Sequence, residues 1–231
     1  AKDGKAPRSD EDIELLASYR DKLEADVIAL QEIDGIESLK LLFPQDAWHA
    51  ACEKRDHKQQ VCLVVKKSSG WEITSAADYT PLNTNGYLRA GLDVTLSRAA
   101  TTPLRLLAVH MKSGCFDHPP GHDTNACDGF YGQLPHLEAW IDARASEKAP
   151  FVVLGDFNRR FSQPKDEAWT ELDDAEPEGL TLKRSIEGDA PCWDTKYPDY
   201  IDHIVLGGDA TGWLQSSKQL VYTHGTHKTH H

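Results

Sequence analysis

The chain has 231 residues, with 25 Lys plus Arg against 37 Asp plus Glu and a formal net charge of -12. That surface disfavours tight, sequence-independent nucleic-acid binding through a basic face, though it leaves room for an enzyme that holds phosphate through a metal ion. No apolar run approaches the roughly 18 residues of a membrane span, and the length suits one domain over residues 1–231.

The opening AKDGKAPRSD reads as a loop, with no signal peptide. Ser9 followed by Asp12 reads as the cap of a helix from Asp10 to Leu23, with Ile13, Leu16, Ala17 and Leu23 toward the core. ADVIALQE (25–32) is a strand ending in a polar pair, and VCLVVKK from Val61 is another. WEITSAADYT and LRAGLDVTLS alternate as strands do. PLRLLAVHMKSG from Pro103 is a strand ending in polar residues. From about Phe130 to Ser146, Leu134, Leu137, Trp140 and Ile141 fall at helical spacing. FVVLGDFN follows as a strand and DEAWTELDD as a short helix, and YIDHIVLGG and QLVYTH are the last strands. No repeat or low-complexity tract interrupts this order. Many strands, few helices and both hairpin and crossover connections fit an α/β sandwich.

The five cysteines bear on the compartment. Cys115 and Cys127 bracket CFDHPPGHDTNAC, a loop with little apolar content of its own. A disulfide closing it would stabilise the fold by roughly 3 kcal/mol in the chain-entropy model. Cys52 and Cys62 flank EKRDHKQQV, a candidate hairpin tip, and Cys192 is left over. Free thiols in a reducing compartment are the alternative. Zinc is disfavoured because no pair has Cys-x-x-Cys spacing. The balance favours an oxidising compartment, secreted or periplasmic, with the Cys115–Cys127 bond formed.

Four strands share one design: an apolar run with an acid, amide or imidazole near one end. DVIALQE ends in Gln31 and Glu32, and LLAVH ends in His110, with Lys112 just beyond. FVVLGDFN carries Asp156 and Asn158, and YIDHIVL carries Asp202 and His203 near its start. Asp156 and Asn158 stand two apart, so an extended chain would turn both to one side; capping a turn is the other use for such a pair.

The ordered set Q-E, V-H-x-K-S-G, G-D-F-N and Y-I-D-H-I resembles the endonuclease/exonuclease/phosphatase family, from residue 26 to 206. The resemblance implies a four-layer α/β sandwich, with two packed mixed β-sheets flanked by helices. It implies a divalent-metal-dependent phosphodiester hydrolase, most simply a non-specific endonuclease acting on DNA or RNA and working as a monomer. Glu32 matches the family's metal ligand, and the metal implied is Mg²⁺, or Mn²⁺ or Ca²⁺. His110 matches the histidine that contacts the scissile phosphate or assists the leaving group. Asp156 matches the aspartate that positions or deprotonates the attacking water. Asn158 matches the amide that holds a phosphate oxygen, and Asp202 matches an aspartate near the metal or a supporting histidine. Lys112, Arg159 and Arg89 are candidate phosphate contacts, Gln133 is a weaker one, and His203 reads as strand packing.

The family's first W-N motif and last S-D-H motif do not occur in this sequence, which is therefore expected to lack the corresponding terminal strands. One of His224, His227, His230 and His231 is a candidate substitute for the last histidine. Two alternatives stand beside the nuclease: a phosphatase or phospholipase of the same fold, and a non-catalytic binding module.

Overall fold

The computed structural model describes residues 8–55, 59–187 and 199–218. Helix α1 spans Asp10–Leu23 and starts at the expected capping box. The Asp12 N–H donates to Ser9 Oγ (3.2 Å), and the Ser9 N–H donates to Asp12 Oδ2 (3.1 Å). Its apolar side does not reach the core. No residue of α1 is fully buried, and Leu23, expected to face inward, is 41% exposed.

Strand β1 (Val27–Ile33), helix α2 (Ile36–Leu42), strand β2 (Trp48–Cys52) and strand β3 (Gln60–Lys66) form the first unit. The sheet order is β1-β3-β2, antiparallel throughout. The second sheet takes β4 (Glu72–Asp78), β5 (Leu92–Ser97), β6 (Leu104–His110), β7 (Phe151–Asp156), β8 (Lys183–Arg184) and β9 (Asp202–Gly207). Its order is β4-β5-β6-β7-β9-β8, and the β6–β7 pairing is parallel. That pairing needs a crossover. Helix α3 (Asn125–Ser146) supplies it, followed after β7 by helix α4 (Glu167–Leu172).

Side-chain alternation builds four layers. Val61, Leu63 and Val65 of β3 meet Val94, Leu106, Ala108, Val152 and Leu154 of the larger sheet, and this contact joins the two sheets. The alternate residues of β6 and β7, Leu107, Val109, Phe151 and Val153, pack under Phe130, Leu134, Leu137, Trp140 and Ile141 of α3. On the far face of the small sheet, Cys62 and Val64 pack against Leu39 of α2, with Phe43 and Trp48 beside them. Helices, sheet, sheet, helices: this is the expected sandwich.

Three elements escaped the sequence reading. Helix α2 has seven residues and no side-chain cap. Strand β2 is a five-residue edge strand, WHAAC, without alternating polarity, and β8 is two residues long. Helix α3 begins at Asn125, five residues before Phe130, because Thr124 Oγ1 accepts from the Cys127 N–H (3.2 Å) inside the disulfide loop. The expected strand QLVYTH, Cys192 and the four C-terminal histidines lie outside the described residues.

Cys52–Cys62, a pairing the sequence leaves open, is bonded, and so is the expected Cys115–Cys127 pair. Cys52–Cys62 joins directly opposed residues at the loop end of the β2–β3 hairpin. Replacing Cys115 and Cys127 together by serine is expected to lower stability by about 3 kcal/mol, read from urea unfolding.

Candidate active site

Three adjacent strands of the larger sheet end in register. His110 is paired across the ladder with Asp156, and Asp156 with Asp202. The strand order β6-β7-β9 therefore places these three residues, far apart in sequence, side by side at one sheet edge. His110 Nε2 stands 3.4 Å from Asp156 Oδ2.

The small sheet reaches the same place through Gly155. Its φ is +136°, and a Cβ there would meet the Val109 carbonyl oxygen at 2.2 Å and Gln31 Nε2 at 2.7 Å. Only glycine lets the end of β1 come this close to β7. One residue on, Glu32 has φ 60° within the irregularity between Leu30 and Ile33 of β1. A left-handed glutamate in a bulge is a strained feature of the kind that re-aims side chains at functional sites.

The Asp156–Asn158 pair works differently from the extended arrangement expected. Strand β7 stops at Asp156, and Asn158 takes φ 52°. The two are coupled by a turn: the Asn158 N–H donates to Asp156 Oδ1 (2.7 Å). The buried Asn158 carboxamide donates to the Met111 carbonyl (3.0 Å), which ties the ends of β6 and β7 together. One of its two amide hydrogens is thus used by the backbone.

Electrostatics follow from this crowding. Burial first, then the Asp202 charge, push Asp156 up to about 7, against the pull of the Asn158 N–H and Arg89, while Glu32 adds to the push. Burial also pushes Asp202 up. That carboxylate still reaches solvent, which moderates the shift. Burial, with the charges of Arg89 and Arg55, holds His110 down to about 3, so its ring is neutral at ordinary pH. Its Nδ1 is buried without a hydrogen-bond partner, as is Gln31 Nε2. Two orphaned polar nitrogens beside crowded carboxylates mark a place prepared for a polar ligand.

Among the described residues, no three His, Cys, Asp or Glu side chains gather to hold a metal ion. The donors on offer are carboxylate oxygens, with Glu32 and Asp202 both exposed. That set fits a hard cation such as Mg²⁺, which takes one or two carboxylates and keeps several waters.

The remaining expectations divide. Arg89 stands at the site's edge, where the charges of Glu32 and Asp156 act on it. Its guanidinium donates to the Gln59 carbonyl (3.2 Å) and to Gln59 Oε1 (3.1 Å). Arg159 is not available to phosphate. It is fully buried, donating to Asp166 Oδ2 (2.7 Å) and to the carbonyls of Cys115 (2.9 Å) and His118 (2.7 Å). Its work is to anchor the disulfide loop. Arg159→Leu would strand the buried Asp166 carboxylate, and a loss of about 3–5 kcal/mol is expected in thermal or urea unfolding. Lys112 lays its stem against Gly129 of α3, and its ammonium donates to the Ser113 carbonyl (2.7 Å). Gln133 clamps the Lys112 N–H and the Leu82 carbonyl and is structural. His203 packs among Phe157, Phe161 and Tyr200, as read from the sequence, with Nε2 2.7 Å from the Arg159 carbonyl oxygen.

Two residues of this region were missed. Glu53 is 1% exposed and accepts from the N–H groups of Val61 (3.2 Å) and Ala90 (3.0 Å), bolting the hairpin to the segment entering β5. Arg55 contributes charge to the His110 environment. Both lie in EKRDHKQQ, which reads as a solvated hairpin tip, and nothing local distinguishes them.

A family model described as "Endonuclease/Exonuclease/phosphatase family" matches residues 2–216. Compared by sequence with curated proteins, the chain finds no match. Among solved structures it is similar to D. rerio TDP2 complexed with a single-strand DNA product, with TM-score 0.61, 17% identity, and 86% of this chain and 77% of that one covered. It is similar to the 3′ phosphatase NExo from Neisseria bound to a product DNA hairpin, with TM-score 0.59, 16% identity, and coverage of 83% and 80%. It is also similar to a mannosyl-6-phosphatase from Bacteroides thetaiotaomicron, with TM-score 0.61, 12% identity, and coverage of 85% and 76%. At these identities the likeness is one of fold.

Proposed function

The chain belongs to the endonuclease/exonuclease/phosphatase family, and from that premise we propose that it is a divalent-metal-dependent phosphodiester hydrolase acting on nucleic acid as a non-specific endonuclease. The observation that carries this reading is the in-register row His110, Asp156, Asp202, with Asp156 pushed up to about 7. A carboxylate near neutrality is suited to taking a proton from water.

In this mechanism Asp156 orients and deprotonates the attacking water through Oδ2, while the Asn158 N–H fixes Oδ1. His110 is neutral and buried, and it donates a hydrogen bond to phosphate rather than a full positive charge. Asn158 directs its second amide hydrogen to a phosphate oxygen, and Asp202 repels the Asp156 charge and so keeps it basic. Glu32 would hold Mg²⁺, which supplies charge stabilisation on phosphoryl oxygens when bound. The two disulfides support an extracytoplasmic location, and among the described residues no helix is long and apolar enough to cross a membrane.

The test is nitrophenol release from bis(p-nitrophenyl) phosphate beside p-nitrophenyl phosphate, with magnesium. Faster turnover of the diester is expected, and a marked preference for the monoester would overturn the diesterase reading.

A further inference from the structure

The loop between β4 and β5 borders the catalytic row. Leu92 of β5 pairs with Ala108 of β6, two residues before His110. The segment leading into Leu92 therefore runs alongside the strand end that carries His110. Arg89 lies in that segment, and its charge acts on both His110 and Asp156. Two residues earlier stands Tyr87, 81% exposed, the highest exposure among the described large apolar side chains.

An exposed aromatic on a loose loop would mean little, but the Tyr87 backbone is held on both sides. Its N–H donates to Asn85 Oδ1 (2.9 Å), as does the Leu88 N–H (3.1 Å). Its carbonyl accepts from Arg55 Nη1 (2.9 Å). Glu53 fixes the following Ala90 N–H, and the Cys52–Cys62 disulfide closes the hairpin that carries Glu53 and Arg55. The loop is clamped while the ring is left in water. Fixing a planar side chain before binding lowers the ordering cost of a contact.

We propose that Tyr87 is a stacking platform for a nucleobase of the strand whose phosphate enters the His110–Asp156 site, and so a specificity-determining residue for single-stranded or locally unpaired nucleic acid. Stacking tolerates any base, because every base presents a π-face. This rests on the phosphodiesterase reading and adds to it a preference for an unpaired planar base beside the cleaved bond.

The test uses a fluorescein-labelled, phosphorothioate-linked thymine oligonucleotide and its abasic counterpart, both resistant to cleavage, with magnesium and read by anisotropy. Tyr87→Ala is expected to weaken thymine-oligomer binding roughly tenfold and to leave abasic binding unchanged, while Tyr87→Trp retains the preference for bases. Equal binding of the thymine oligomer by wild type and Tyr87→Ala overturns the proposal, as does a wild type that binds neither oligomer or prefers the abasic one. Hydrolysis of bis(p-nitrophenyl) phosphate, which does not require an oligonucleotide, reports separately whether the phosphodiesterase reading stands.

Discussion

Asp156→Asn is expected to lower turnover by about 10²- to 10⁴-fold, the usual contribution of a positioned base, while making the folded chain more stable above neutral pH. The two effects share one cause. Asp156 is crowded by burial and by Asp202, which raise its carboxyl from 3.8 to about 7. A carboxyl whose folded-state value lies above its unfolded value favours folding while protonated. That contribution is present at low pH and is lost as pH rises from 3.8 to about 7. Asparagine has no charge to bury and keeps an oxygen that can accept from the Asn158 N–H. Magnesium acts in the same direction by offsetting negative charge. At pH 8 the wild type should therefore gain melting temperature with magnesium, and the gain should shrink in Asp156→Asn. Turnover should rise through about pH 7 as Asp156 ionises when magnesium is scarce, and through a lower pH when it saturates. His110 adds no limb above about 3. An Asp156→Asn chain that is less stable than wild type at pH 8 would show that the carboxylate is not under strain.

Gly155→Ala is the largest expected loss of stability. The new Cβ would lie 2.2 Å from the Val109 carbonyl oxygen, on a backbone with φ +136°. The clash is with a neighbouring strand, so no side-chain rotation relieves it. Backbone strain and overpacking together are expected to cost about 2–6 kcal/mol, seen as a lower urea midpoint. Activity per folded molecule should also fall, because the Cβ pushes against Gln31 and thus against the end of β1 that carries Glu32. A change below about 1 kcal/mol would mean that β6 and β7 do not meet at Gly155 as described.

These two residues also show how far the sequence could be read. The strand ending in Gly155 and Asp156 was plain from its apolar run, and the ordered motifs led to the sandwich and to the row His110, Asp156, Asp202. Nothing local marks Gly155 as a contact point, because its role depends on a strand more than 120 residues earlier in the sequence. Arg159 looked like a phosphate ligand for the opposite reason: a charge three residues after a candidate catalytic aspartate is expected in solvent. The chain turns at Asn158 and sends it into the core, where Asp166 and two carbonyls meet it. Glu53 and Arg55 were hidden in a polar run, because their partners Ala90 and Tyr87 belong to another sheet's loop. Alternation and caps are local signals and were legible; contacts that join the two sheets were not.

The most direct test is plasmid nicking by the folded chain with magnesium, with and without EDTA, beside Asp156→Asn. The account predicts nicking that EDTA abolishes and that Asp156→Asn lowers by about 10²-fold or more. Nicking that persists in EDTA, or that Asp156→Asn leaves intact, would contradict it, as would a folded wild type that leaves the plasmid uncut.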